Sequence, residues 1–120
     1  MTRTTTAARG AKRKCDVLFS QLIRARGWCE RCGSTANLQC AHIISRRYAH
    51  TRTDLENAYC LCAGCHMFFT DHPVEFARFV RGMTTTRTYE RLRGQSQRRD
   101  KFDWTAELAR LESLAAEARL

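Results

Sequence analysis

Two cysteine pairs constrain this chain more than any other feature: Cys29-Glu-Arg-Cys32 and Cys62-Ala-Gly-Cys65, with 29 residues between them. Thiolates three positions apart can reach one ion, and two such pairs complete a tetrahedral four-cysteine zinc site. Gly33, directly after the first pair, tolerates the positive φ that a knuckle turn needs. A closed four-thiolate site has no open position for water or substrate, so its ion is structural. Such an ion couples to folding with an apparent energy of roughly 10 to 16 kcal/mol, comparable with the whole stability of a small domain. The alternatives are four buried thiols, or Cys60 taking the place of Cys62 at an unusual spacing to Cys65. Cys15 reads as a small apolar filler on a helix. Cys40 lies two residues before His42 and shares its strand face.

A chain of 120 residues has room for one domain with a modest core, which benefits from such a staple. No run of about eighteen apolar residues is present, and Met1 to Lys14 is polar and basic, so a soluble, cytoplasmic protein with no membrane partner is expected. In that compartment an odd count of seven cysteines points to metal more than to disulfides. The net charge of +9 favours nucleic acid as partner, because each neutralised phosphate releases counterions. A merely solvated basic surface is the plainer explanation, and placement weighs against it: residues 1–60 carry eleven Lys and Arg against four acids, residues 61–120 ten against eight. Arg outnumbers Lys eighteen to three, which suits bidentate phosphate contacts and equally suits a GC-rich genome.

Along the chain, residues 1–10 read as a flexible basic arm, 11–82 as a zinc-stapled domain and 83–120 as a C-terminal helical extension. Ala11 to Arg26 is an amphipathic helix with Val17, Leu18, Leu22 and Ile23 on its stripe, stopped by Gly27. Leu38 to Ile44 is a strand ending near His42, residues 45–54 a loop, Ala58 to Leu61 a second strand, and Ala63 to Thr70 a helix carrying Cys65 and His66. Pro73 opens a helix closed by Gly82, with His72 or Asp71 at its cap. Thr84 to Leu92 is a short helix and Gly94 to Lys101 a linker. Asp103 caps a final helix from Trp104 to Arg119, whose Leu108, Leu111, Leu114 and Ala115 stripe packs either on the domain or on a second copy as a homodimer.

The stretch Cys29-Glu-Arg-Cys32-Gly33, then Ala41-His42-Ile43-Ile44, then Asn57-Ala-Tyr-Cys60-Leu-Cys62-Ala-Gly-Cys65-His66, resembles the zinc-containing branch of the HNH endonuclease superfamily. The loop His42-Ile-Ile-Ser-Arg-Arg-Tyr and the segment Thr51-Arg52-Thr-Asp54-Leu-Glu-Asn57 are most similar to phage recombination proteins of the NinG type. The likeness covers residues 29–81. It implies an α+β protein with a small ββα-metal core and the four-cysteine zinc site, flanked by N- and C-terminal helices, encoded by a phage or prophage and acting in the bacterial host's cytoplasm. It also implies a DNA endonuclease, of nicking or junction-resolving type, that uses one catalytic divalent ion (Mg²⁺, Mn²⁺ or Ni²⁺).

In that reading His42 is the general base, a role that suits an imidazole near neutral pH. Asn57 fixes the hairpin loop and orients His42, and His66 ligates the catalytic ion. Arg46, Arg47 and Arg52 contact the DNA backbone, with Arg52 the strongest candidate. Taken singly, the residues have ordinary explanations: a half-buried histidine, a turn asparagine, a solvated histidine beside a cysteine. Where many HNH nucleases have Asp or His, this chain has Ala41, which ligates nothing; Asp54, Asp71 or His50 are open substitutes, and His50 and His72 are otherwise loop and cap residues. A zinc-stabilised DNA-binding module without cleavage is the competing reading. No element carries a base-recognition motif, so weak sequence preference or structure-directed cutting is expected.

Overall fold

The computed structural model describes residues 6–120. Its elements run α1 (Thr6–Arg24), β1 (Leu38–His42), α2 (Ala49–Arg52), a 3-10 turn (Leu55–Asn57), β2 (Ala58–Cys62), α3 (Ala63–Asp71), α4 (Pro73–Met83), α5 (Thr86–Ser96) and α6 (Trp104–Glu117). Half of the expected N-terminal arm is therefore helix: residues 6–10 form the first turns of α1, and residues 1–5 lie outside the described part.

Helix α1 buries Ala11, Cys15, Phe19 and Ile23. Four residues at i, i+4, i+8 and i+12 make one continuous apolar strip. Val17, expected on that strip, is instead 54% exposed, because Phe19 sets the phase of the buried face. Gly27 at φ +92° then turns the chain, as its position after the helix predicts.

Strands β1 and β2 pair antiparallel with Leu38 opposite Cys62, Cys40 opposite Cys60 and His42 opposite Ala58. A lone two-stranded sheet is marginal in water and needs cover. Here both faces are covered, which is why β2 alternates between two cores. Ala58 and Cys60 pack with Phe19 and Ile23 of α1. Tyr59 and Leu61 pack with Ala41, Cys65, Phe69 and Val80. The Phe69 ring meets Phe76 and Phe79, joining α3 to α4.

The third core is formed by Ala11, Cys15, Trp104 and Leu111, with Leu108 and Leu114 beside it. In this core α6 lays its apolar stripe on α1. The Asp103 carboxylate caps α6 by accepting from Ala106 N at 3.0 Å. Helix α5 runs on past Gly94 to Ser96, shortening the expected linker, because Leu92 and Ser96 are both buried. It is tied to the 3-10 turn before β2 by Arg91, which donates to Asp54 at 2.8 Å and to Glu56 at 3.0 Å. The segment 45–54, expected as loop throughout, contains the one-turn helix α2. Among the described residues no helix is long and apolar enough to cross a membrane.

Leu111 has no exposed surface and Val17 faces solvent. In urea denaturation Leu111→Ala should cost about 2 to 5 kcal/mol and Val17→Ala no more than about 0.5 kcal/mol. Equal costs would contradict the phase of α1 against α6.

Candidate metal centre and histidine cleft

The four sulfur atoms of Cys29, Cys32, Cys62 and Cys65 all lie within 4.8 Å of one another. The Cys32 and Cys62 sulfurs are 3.7 Å apart, close to the roughly 3.8 Å edge of a tetrahedron with about 2.3 Å zinc–sulfur bonds. The cluster therefore suits a structural metal ion such as zinc. The fold presents the thiols through two tight turns. Gly33 at φ +82° closes the first, its N–H donating to Cys29 O at 2.8 Å. At the second, Cys62 caps α3, its Sγ accepting from Cys65 N at 3.4 Å.

Arg31 donates to Cys65 Sγ at 3.4 Å while its guanidinium lies over the Phe68 ring. Burial raises the Cys65 thiol, whereas backbone N–H groups overcome burial at Cys29 and hold it down at about 6. Cys60 is fully buried in the opposite core beside Phe19, so it does not replace Cys62. Cys15 is buried too, its thiol pushed up to about 11 by burial, and donates to Trp104 O, consistent with a filler.

Glu30, between the two knuckle cysteines, accepts from Cys60 N at 2.7 Å, and Arg26 bridges Glu30 to the carbonyls of Leu55 and Ala58. The knuckle is thus fastened to β2 by a charged pair as well as by sulfur.

Asn57 has no exposed surface. Its Oδ1 accepts from Ile44 N at 2.8 Å, and its Nδ2 donates to Ile44 O at 3.1 Å and Thr51 O at 2.9 Å. One amide thereby fixes both arms of the loop between β1 and β2. His42, at the end of β1, is half-buried, with its ring 5.2 Å from Phe19. Its Nε2 donates to Arg52 O at 2.8 Å, because a carbonyl can only accept. The proton therefore sits on Nε2, and Nδ1 keeps its lone pair.

His42 lines a cleft of about 360 Å³ along the outer edge of β1, with Asp16, Ser20, Arg24, Gln39 and Arg46. Burial lowers the imidazole below its ordinary value of 6.5; the Arg52 carbonyl opposes this, and the charges of Arg46 and Arg52 add to it.

His66 is joined to the same edge through Gln39, whose Oε1 accepts from Nδ1 at 2.7 Å. With Nδ1 as the donor, Nε2 keeps the lone pair that a metal ion could use. The open substitutes for a second ligand are engaged elsewhere or not gathered near it. Asp54 pairs with Arg91, and His50 lies 3.4 Å from Asp100. Among the described residues the four cysteines are the only close group of three or more ligating side chains. His72 does not cap α4 with its side chain but stacks on Phe68.

The three arginines divide. Arg46 and Arg47 are exposed, whereas Arg52 is not a free backbone contact. Its Nε and Nη2 both donate to Asp16 at 2.7 Å, its Nη1 donates to Arg46 O at 2.7 Å, and its side chain is only 15% exposed. Burial works against the Asp16 carboxylate, but Arg52, with Arg46 and Lys12, outweighs it and holds the carboxyl below its ordinary value. Asp16, Gln39 and the α6 residues that meet the loop carry no motif signal. They emerge only from the packing of α1, β1 and α6.

Purified protein should hold one zinc per chain, and Cys62→Ala should lose both the ion and the cooperative melting transition; a stable, zinc-free variant would contradict the assignment. For His42, imidazole NMR titration should give a pKa below 6.5, rising when Arg46→Ala removes a positive charge. Because the folded chain binds this proton less readily than the unfolded one, His42 contributes stability above pH 6.5 that is lost as pH falls through its folded value. No protein-family model matches the chain, and no curated protein or solved structure matches it either.

Proposed function

We propose that the protein is a metal-dependent endonuclease of the HNH type that hydrolyses phosphodiester bonds in DNA, with zinc as the structural ion at Cys29, Cys32, Cys62 and Cys65. The observation that carries this reading is the joint placement of Asn57 and His42. The buried amide ties the loop between the strands, and the loop returns a carbonyl that sets the tautomer of a histidine in a basic cleft.

His42 takes a proton from the attacking water at Nδ1, and burial keeps the ring neutral and ready to accept it. The water oxygen bonds to phosphorus as the bond to the leaving 3′ oxygen breaks. Arg46 at the cleft, with Arg47 nearby on the loop, holds the flanking phosphates, while Arg52 serves the loop. A Mg²⁺, Mn²⁺ or Ni²⁺ ion held at His66 would supply Lewis-acid stabilisation of the phosphate and the leaving oxygen. DNA as the polymer rests on the HNH resemblance together with the charge of +9.

One observation favours a second reading, a zinc-stabilised DNA-binding module without cleavage. Ala41 is 3% exposed and packs among Cys65 and Phe69, so β1 offers no ligand beside His66 at that position.

Incubation of supercoiled and branched DNA with each metal, beside an EDTA control, separates the two. The nuclease reading expects metal-dependent nicked or linear product that falls by about 10² to 10⁴-fold in His42→Ala, with zinc content and melting unchanged. Salt-sensitive binding with no product under any metal would establish the second reading instead.

A further inference from the structure

Three consecutive carbonyls at the end of α2 each meet a side chain from a different element. Thr51 O accepts from Asn57 Nδ2 at 2.9 Å, Arg52 O from His42 Nε2 at 2.8 Å, and Thr53 O from Arg110 Nη2 at 3.2 Å. Two carboxylates, one from each terminal helix, hold the side chains of the same short segment. Asp16 of α1 takes the Arg52 guanidinium in two bonds of 2.7 Å. Glu107 of α6 accepts from the Thr53 hydroxyl and takes Arg110 in two bonds of 2.7 Å.

Thr53 is 1% exposed and Glu107 9%. A buried carboxylate is costly to desolvate, and an apolar pair of similar volume is often at least as stable, so burial of this kind is weak as a stability device. What it does supply is direction. With the Arg52 side chain held by Asp16 and the Thr53 side chain held by Glu107, rotation of the peptide between them would break these bonds and turn the Arg52 carbonyl away from His42.

We propose that Asp16 and Glu107 are positioning residues: α1 and α6, packed on one another, each grip one residue of the Arg52–Thr53 segment and, through the Arg52 carbonyl, hold His42 in its Nε2–H tautomer. The catalytic consequence rests on the nuclease reading above, but the orientation of the ring does not. Asp16 lines the cleft with His42, but its oxygens are taken by Arg52 and Arg46, and Glu107 lies outside the cleft, engaged by Thr53 and Arg110. Both act through one backbone oxygen, and misplacement of a catalytic group by about 1 Å is enough to cost about 10²-fold in rate.

The test uses the zinc-loaded full chain with Asp16→Ala and Glu107→Gln, and with Arg78→Ala as an exposed ion-pair control. Imidazole ¹⁵N shifts read the tautomer of His42 directly, and kcat and KM are measured on plasmid DNA. Both clamp variants should keep zinc and a cooperative melt and show a mixture of His42 tautomers. Their kcat should fall about 10-fold or more with KM within about 2-fold, a loss smaller than that of a 1 Å displacement because Asn57 still holds the loop. Arg78→Ala should change none of these.

A single Nε2–H tautomer in both variants overturns the clamp, whether or not kcat falls, since a rate loss without a change at the ring is merely structural. Should Asp16→Ala fail to fold, Asp16→Asn, which keeps one accepting oxygen, takes its place with the same expected and overturning results. If the wild-type protein cuts no DNA while the variants still scramble the ring, the nuclease reading fails and the clamp stands. If the wild type cuts and the ring is unmoved, the reverse holds.

Discussion

Four sulfur atoms gathered within 4.8 Å bring together the knuckle and the start of α3, with the Glu30–Arg26 pair fastening the same knuckle to β2. The knuckle at 29–32 carries little apolar bulk, and the turn from β2 into α3 is short. An ion held there would fix the knuckle that follows α1 against the start of α3, while Phe19 and Ile23 wall one face of the hairpin and Phe69 and Val80 the other. On this framework His42 lies against the Phe19 ring, and His66 reaches β1 through Gln39.

The division of labour among the arginines follows a similar logic. A guanidinium held by several groups inside the fold is a strut, and one that is largely exposed is open to an outside partner, even where, as at Arg46, one nitrogen also lies 3.4 Å from Asp16. Arg52 and Arg26 belong to the first kind, bridging segments 36 and 32 residues apart, while Arg46 and Arg47 belong to the second. Net charge alone does not separate these roles. The chain spends part of its basic excess on its own carbonyls and carboxylates, and the fraction exposed at the cleft is what an acidic polymer would feel.

The cysteine pairs, the strand ending at His42, the helix bearing Cys65 and His66, and the stop at Gly27 were all legible in the sequence, because each rests on local spacing or on one residue's conformational freedom. The phase of α1 was not, since Val17 and Phe19 are both apolar and only packing against β2 and α6 selects between them. The bonding of Arg52 was hidden for the same reason: its partner Asp16 lies 36 residues away on another helix, and nothing local announces it. The roles of Glu107 and Arg110 were equally hidden, as an ordinary i, i+3 charge pair on a helix surface gives no hint that it closes on Thr53.

Helices α1 and α6 stand at opposite ends of the chain yet share one core, with Cys15 donating to a carbonyl 89 residues further on. Contacts between such distant residues carry a large loop-closure cost and form late in folding. During synthesis the four thiols and the hairpin emerge well before α6, so the nascent chain can assemble its metal centre while the wall against α1 is still missing. α6 lines no part of the cleft; it supports the cleft from behind, through α1 and Thr53, and a chain stopped short of Trp104 would carry the motif residues without that support.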